Sequence, residues 1–267
     1  MTCLWLMPFY PTADRDDGYD ITDFYGVDPR LGDSGDLVEL IRTARDRGGI
    51  RVIADLVVNH TSDRHPWFRS ARSSPDSPYR DFYVWRTDEP PPTSDQVVFP
   101  DQEQGIWTYD EQAEAWYRHR FYRHQPDLNT ANPKVRDAIA KVVGYWAEVG
   151  GLSGFRVDAV PFMLADTAND PHDEIEHPHE FLKALRAFLS RRTGDAILMG
   201  EVNLPYVEQR LFFGGDLDGD GDAEGDELTL QFDFVLMQQL YLALARQDAG
   251  PVAQALRDRP VIPHDAQ

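Results

Sequence analysis

A single cysteine, Cys3, stands among 267 residues, so no disulfide can form within the chain. That fits a reducing compartment, and a cytoplasmic location is expected. No apolar run approaches the length that crosses a bilayer. No basic segment precedes the apolar stretch after Met1, so no secretion signal is read. On that ground the glycosylation sequon Asn59-His60-Thr61 is read as chance. Basic residues are scarce: 26 Lys and Arg face 46 Asp and Glu, a formal charge of -20. Such a surface repels nucleic acid and anionic membranes, which removes both as expected partners. It suits a neutral substrate or a bound cation. Glycine-rich loops of the GxGxxG or Walker kind are also lacking, which counts against a nucleotide-binding open sheet.

What the chain does have is alternation of strand and helix. Cys3-Leu4-Trp5-Leu6-Met7 and Arg51-Val52-Ile53-Ala54-Asp55-Leu56-Val57-Val58 are near-continuous apolar runs, the signature of parallel strands buried on both faces. Between them, residues 36–47 place Leu37, Ile41 and Ala44 on one helical face, and Gly48-Gly49 stop the helix. From 61 to 131 the alternation breaks for a stretch far too long to be a plain loop. An inserted small domain is expected there, its many aromatics, Trp67, Phe68, Tyr83 and Trp85 among them, mostly serving as core. The pattern resumes at Asn132-Pro133, a helix cap and first-turn proline, with Val135, Ile139, Val142, Val143, Trp146 and Val149 inward. A strand at 154–160 follows. Next come a helix from about Pro178 to Ser190 (Phe181, Leu185, Phe188 and Leu189 inward), a strand over 197–201 and a short helix over 206–213. A strand over 228–234 and a helix over 236–245 close the series. The expected fold is α/β, an incomplete (β/α)8 barrel that lacks its first strand and last two strands and carries an insert after its third strand. The expected divisions are residues 1–60, 61–131 and 132–267.

Residues with chemistry gather where these strands end. Arg156 and Asp158 sit two apart and project to one face of their strand. A cation beside a buried carboxylate keeps it ionised, as a carboxylate nucleophile requires. The next strand delivers Glu201, with no obvious cation beside it in sequence. Arg15-Asp16-Asp17-Gly18-Tyr19-Asp20 forms an acidic loop just after the first strand, a good position for a site. His65, His119 and His124 lack ligand-like spacing and are read as ordinary contact residues.

Four segments in order, Asp55-Leu56-Val57-Val58-Asn59-His60, Gln125-Pro126-Asp127-Leu128-Asn129, Gly154-Phe155-Arg156-Val157-Asp158 and Gly200-Glu201-Val202-Asn203, resemble the α-amylase superfamily of retaining glycoside hydrolases and transglycosylases. Gln125 to Asn129 is similar to the branch of α-glucosidases, oligo-1,6-glucosidases and trehalose synthases. Leu4 to Pro11, Asp16 to Asp20 and Asp158-Ala159-Val160-Pro161 are most similar to its trehalose synthase members. The resemblance implies Asp158 as nucleophile, Glu201 as general acid/base and Arg156 as the group holding Asp158 ionised. It implies His60 and Tyr19 lining a glucose pocket and Asp16 binding hydroxyls at its floor. The implied substrate is a small neutral α-glucoside such as maltose, trehalose or a short malto-oligosaccharide, isomerised between maltose and trehalose. The alternatives are hydrolysis, or a non-catalytic relative that binds only carbohydrate or calcium. The family's third acidic residue is not found. His264-Asp265 lies in a linker-like stretch, so the chain reads as an internal fragment expected to be inactive alone.

Calcium is the expected metal. Asp216, Asp218, Asp220 and Gly221 with Glu227 satisfy D-x-D-x-D-G-x5-E, with Asp222 beside them. That spacing makes an oxygen cage suited to Ca²⁺. The resemblance implies a second calcium on Asn59, Asp127 and main-chain carbonyls near Phe162 and Met163. There the sequence departs from the family, with Ala165 where related chains carry a glutamate.

Overall fold

The computed structural model describes residues 1–163, 178–214 and 225–259. The chain divides into two compact units, Met1–Ser153 and Gly154–Gln267. In the first unit, β1 (Cys3–Leu6) runs parallel to β2 (Arg51–Leu56), in the register Cys3↔Arg51 to Leu6↔Ala54. Helix α1 (Ser34–Gly48) crosses between them. Asp33 caps α1, accepting from the backbone N–H groups of Gly35 and Asp36, while the Asp36 carboxylate accepts from the Asp33 N–H. This reciprocal arrangement satisfies donors the helix cannot. Leu37 and Ile41 are buried as their spacing requires. Strand β2 stops two residues before its apolar run does: Val57 and Val58 stay buried but leave the ladder.

Helix α2 (Pro66–Ser73) opens the insert. A three-stranded antiparallel sheet follows, in the order β3 (Trp85–Arg86), β5 (Ala115–Arg118), β4 (Trp107–Asp110). Its core is aromatic. Phe68 stacks on Trp85 at 5.6 Å and meets Tyr83 and Tyr117 edge-on at 5.0 and 5.1 Å. The Tyr83 hydroxyl pairs with Thr61 Oγ1 at 2.8 Å, so the one polar atom of that buried ring has a partner.

Helix α3 (Pro133–Tyr145) starts as its cap predicts, with Asn132 Oδ1 accepting from the Lys134 N–H. Val135, Ile139, Val142, Val143 and Trp146 are buried, but Val149 is exposed. The difference has a local cause: the helix loosens into a π-turn over Trp146–Gly150, which shifts the phase and swings Val149 outward. Trp146 anchors the turn, donating to the Phe24 carbonyl at 2.7 Å and meeting Phe9 edge-on.

In the second unit, β6 (Gly154–Val157), β7 (Ile197–Gly200) and β8 (Leu230–Gln231) lie parallel. Among the described residues, the parallel strands β1, β2, β6, β7 and β8 number five. With their helices they are a partial (β/α)8 barrel, joined by the small antiparallel sheet. Gly154 is required where it stands: its φ is +154°, and a Cβ there would lie 2.0 Å from the Ile197 carbonyl oxygen. After β6 comes a single turn, α4 (Val160–Met163). Helix α5 (Pro178–Ser190) buries Phe181, Leu182, Leu185 and Leu189. Phe188 was expected inward, yet it is half-buried under the Arg192 guanidinium at 3.6 Å. The short helix splits into α6 (Tyr206–Gln209) and a 3-10 turn over Arg210–Phe213. The expected strand over 228–234 shrinks to β8, because Asp233 caps α7 (Phe234–Arg246), accepting from the Leu236 N–H at 2.8 Å. Helix α8 (Gly250–Asp258) packs on α7.

Candidate active site

In the second unit the ladder itself assembles the carboxylates. Val157 pairs with Gly200, so Asp158 and Glu201, the next residue on each strand, arrive side by side. Their partner is one guanidinium. Arg156 Nη1 donates to Asp158 Oδ1 at 2.7 Å, and Nη2 donates to Glu201 Oε2 at 2.7 Å. Glu201 was expected to have no cation beside it; the structure corrects this. The contact spans 45 positions and depends on strand register, so local sequence carries no sign of it. Arg156 and Asp158 are buried, while the Glu201 side chain keeps one-third of its surface, 33%. Glu201 Oε2 also accepts from the Ala159 N–H at 3.2 Å. Ala159 adopts φ +52°, a left-handed conformation uncommon for a residue with a Cβ, and that turn aims its N–H at Glu201. Both donors thus fall on Oε2, and Oε1 takes none among the described residues.

In the first unit the acidic loop after β1 is tightly tied. Gly18 at φ +103° lets the backbone pass the Pro8 carbonyl, which a Cβ would approach to 2.9 Å. Asp20 is fully buried and accepts from Thr12 Oγ1, the Arg15 N–H and Arg15 Nε. Arg15 reaches on to Ser62 Oγ at 2.9 Å and pairs with Asp63. Asp16 Oδ2 accepts from Gln125 Nε2 at 2.7 Å, and its Oδ1 has no hydrogen-bond partner among the described residues. Burial pushes the Asp16 carboxyl above its usual range; the Gln125 bond opposes this and the Asp20 charge adds to it. Gln125 lies within a segment the sequence singles out, but its bond to Asp16 bridges 109 positions and could not be read there.

His60 is buried with both ring nitrogens engaged. Nε2 lies 3.2 Å from the Tyr19 carbonyl and Nδ1 lies 3.2 Å from Asn59 Nδ2. A carbonyl can only accept and that Nδ2 can only donate, so the ring is the neutral Nε2–H tautomer. Burial lowers its pKa to about 4. His65 shows the same logic at the start of α2: Nδ1 accepts from the Trp67 N–H, and burial lowers its pKa to about 3.

The metal candidates differ in what is visible. Asp216, Asp218, Asp220 and Asp222 lie outside the described residues, as do His264 and Asp265. Glu227 is fully buried; its Oε2 pairs with His179 Nδ1 at 2.8 Å and its Oε1 has no hydrogen-bond partner among the described residues. Burial raises its carboxyl above the usual range. One buried oxygen awaiting a partner fits a calcium ligand, although His179 leaves Glu227 a single free oxygen rather than the bidentate pair of the motif. Asp127 is differently placed. Its Oδ2 accepts from Arg118 Nε at 3.1 Å, and its Oδ1 accepts from the Arg120 N–H and Asn59 Nδ2. A guanidinium of the chain itself supplies the positive charge there, so the Asn59–Asp127 donor set does not fit a second calcium. Among the described residues no cluster of three or more His, Cys, Asp or Glu side chains is placed to hold a metal.

Adjacent ends of parallel strands thus carry two carboxylates on one arginine. The alpha-amylase catalytic-domain profile matches residues 1–250, and the chain belongs to that family. It is 39% identical to the trehalose synthase of Pimelobacter sp. over 99% of its own length and 46% of that protein. It is 42% identical to the Thermus thermophilus trehalose synthase over 99% of this chain and 26% of that one. The chain thus spans under half the length of these relatives. The crystal structure of trehalose-6-phosphate hydrolase from Bacillus licheniformis superposes with a TM-score of 0.76 at 31% identity, covering 90% of this chain and 43% of the other. No helix among the described residues is long and apolar enough to cross a membrane.

The two neutral histidines set a pH dependence. Their folded pKa values lie below the unfolded value of about 6.5, so the unfolded chain binds more protons between about 6.5 and 4. Stability is therefore full above about pH 6.5 and is lost as pH falls toward 4. Imidazole NMR signals of His60 and His65 should stay at neutral positions down to pH 5 while the urea midpoint falls. Native-state titration of either ring near pH 6.5 would contradict this.

Proposed function

We propose that the chain carries the catalytic carboxylates of a retaining α-glucoside-processing enzyme, one that interconverts maltose and trehalose. The observation that carries the reading is the shared guanidinium, which holds Asp158 and Glu201 side by side at neighbouring strand ends. The roughly 40% identity to trehalose synthases, over nearly the whole chain, supports the finer assignment.

The chemistry follows from the geometry. Asp158 attacks the anomeric carbon and forms a glycosyl ester, while Glu201 serves as the acid that protonates the departing glycosidic oxygen. Ester formation consumes the Asp158 charge. The Arg156 hydrogen bond to Glu201 stays in place for the second step, in which Glu201 acts as base. That carboxylate takes a proton from the attacking hydroxyl. In the isomerase the attacker is another hydroxyl of the released glucose; in a hydrolase it is water. Asp16, with Oδ1 open and Oδ2 fixed by Gln125, is the group proposed to take sugar hydroxyls. His60 cannot donate to sugar without leaving the Tyr19 carbonyl, so its proposed role is a neutral wall beside Tyr19. Calcium is proposed in the 216–227 loop, with the unpartnered Oε1 of Glu227 as one ligand.

Two experiments test these readings. Residues 1–259 grafted in place of the matching segment of the Pimelobacter enzyme should give a chimera that turns maltose into trehalose. Asp158→Asn or Glu201→Gln should lower its kcat by ~10³-fold or more. Release of glucose alone would assign hydrolysis instead, and full activity of the Asp158→Asn chimera would remove the assignment. For calcium, calorimetry on the chain should show saturable Ca²⁺ binding and a raised Tm, both lost in Asp218→Ala. No heat of binding, with identical melting of the two proteins, would dismiss the ion.

A further inference from the structure

A cavity of about 490 Å³ opens in the first unit. It is lined by Pro66, Arg69, Ser70, Arg72 and Ser73 of α2 and by Gln112 from the turn between β4 and β5. Arg69 and Arg72 are three residues apart on one helix, so their guanidinium groups share a face. Among the described residues, Arg69 has no ion-pair or side-chain hydrogen-bond partner. In a chain of formal charge -20, a cation without a carboxylate beside it is conspicuous.

Arg72 is held in place but not used up. Its Nη2 pairs with Asp110 Oδ2 at 2.7 Å, and its Nη1 has no hydrogen-bond partner among the described residues. Asp110 is itself saturated: its other oxygen accepts from the N–H groups of Gln112 and Ala113. Two guanidinium groups against one carboxylate leave one net positive charge at the cavity. The Gln112 side-chain amide, which makes no hydrogen bond among the described residues, adds a further free donor. Ser70 and Ser73 point their hydroxyls elsewhere, to Ser77 Oγ and the Ser70 carbonyl, so recognition falls to the arginines and Gln112.

We propose that this cavity binds a phosphate group, with Arg69 and Arg72 as its cationic donors and Gln112 as a neutral one. Arginine forks match the oxygens of phosphate, and the match supplies both charge and geometry. The volume is ample for a phosphorylated monosaccharide and lies within the range of small-molecule sites. The source is either a sugar phosphate or the free anion, two forms of one chemistry.

The test titrates the 267-residue chain, followed by amide NMR at constant ionic strength, with inorganic phosphate, glucose 1-phosphate, glucose and acetate in parallel. Saturable shifts confined to α2 and residues 111–113 are expected with both phosphates and not with glucose or acetate. Tighter binding of glucose 1-phosphate assigns the sugar phosphate; equal affinity assigns the free anion. Arg69→Ala should weaken binding ~10-fold or more with no change in Tm, since Arg69 is exposed and unpaired. Gln112→Ala should weaken it less, also without a change in Tm. Absence of saturation, acetate matching phosphate, or full binding by Arg69→Ala would each overturn the proposal.

Discussion

The guanidinium of Arg156 is the interaction on which the second unit turns. Two carboxylates brought together at adjacent strand ends repel each other, and like charges so close cannot both ionise without a counter-ion. Arg156 removes the conflict by donating to both at 2.7 Å. Its position is fixed by the ladder, Arg156 opposite Met199 and Val157 opposite Gly200. That register depends in turn on Gly154, whose missing side chain lets β6 and β7 close to ladder distance. A one-residue slip would turn the site's side chains to the other face.

The first unit follows the opposite electrostatic rule. Its buried polar groups are kept neutral or are paired with charges the chain supplies. His60 and His65 are neutral because each accepts a hydrogen bond at Nδ1 and burial penalises the charged ring. Asp127 is paired with Arg118, Asp20 with Arg15. This is why the Asn59–Asp127 pair is a poor metal site: the cation that would make it one is already there as Arg118. Asp16 is the exception, a half-buried carboxylate with one oxygen held by a neutral amide and the other open.

Much of this was legible in the sequence because it is local. The strands announce themselves as short apolar runs, the start of α3 as Asn132-Pro133, and the faces of α1 and α3 by spacing. The carboxylates could be found because strand ends are where barrels place chemistry. What escaped was non-local or depended on a shift of phase. Val149 came out exposed because a π-turn rotated it. Phe188 gave way to Leu182 in the core and took a place beneath Arg192. The bonds from Arg156 to Glu201 and from Gln125 to Asp16 link residues 45 and 109 positions apart, so only the folded register brings them together. The family segments include Gln125 without saying what it touches, and they give Asp127 a calcium where the structure has Arg118.

A double-mutant cycle between Arg156 and Asp158 tests the central claim most directly. Removing the arginine alone takes the guanidinium from a buried carboxylate, so Arg156→Ala should destabilise the chain by about 3 kcal/mol or more in urea unfolding. With Asp158→Asn already in place, the same change should cost at least ~1 kcal/mol less, because the stranded charge is gone. If the two substitutions simply add, to within about 0.5 kcal/mol, Arg156 does not hold the pair and the account of the site fails.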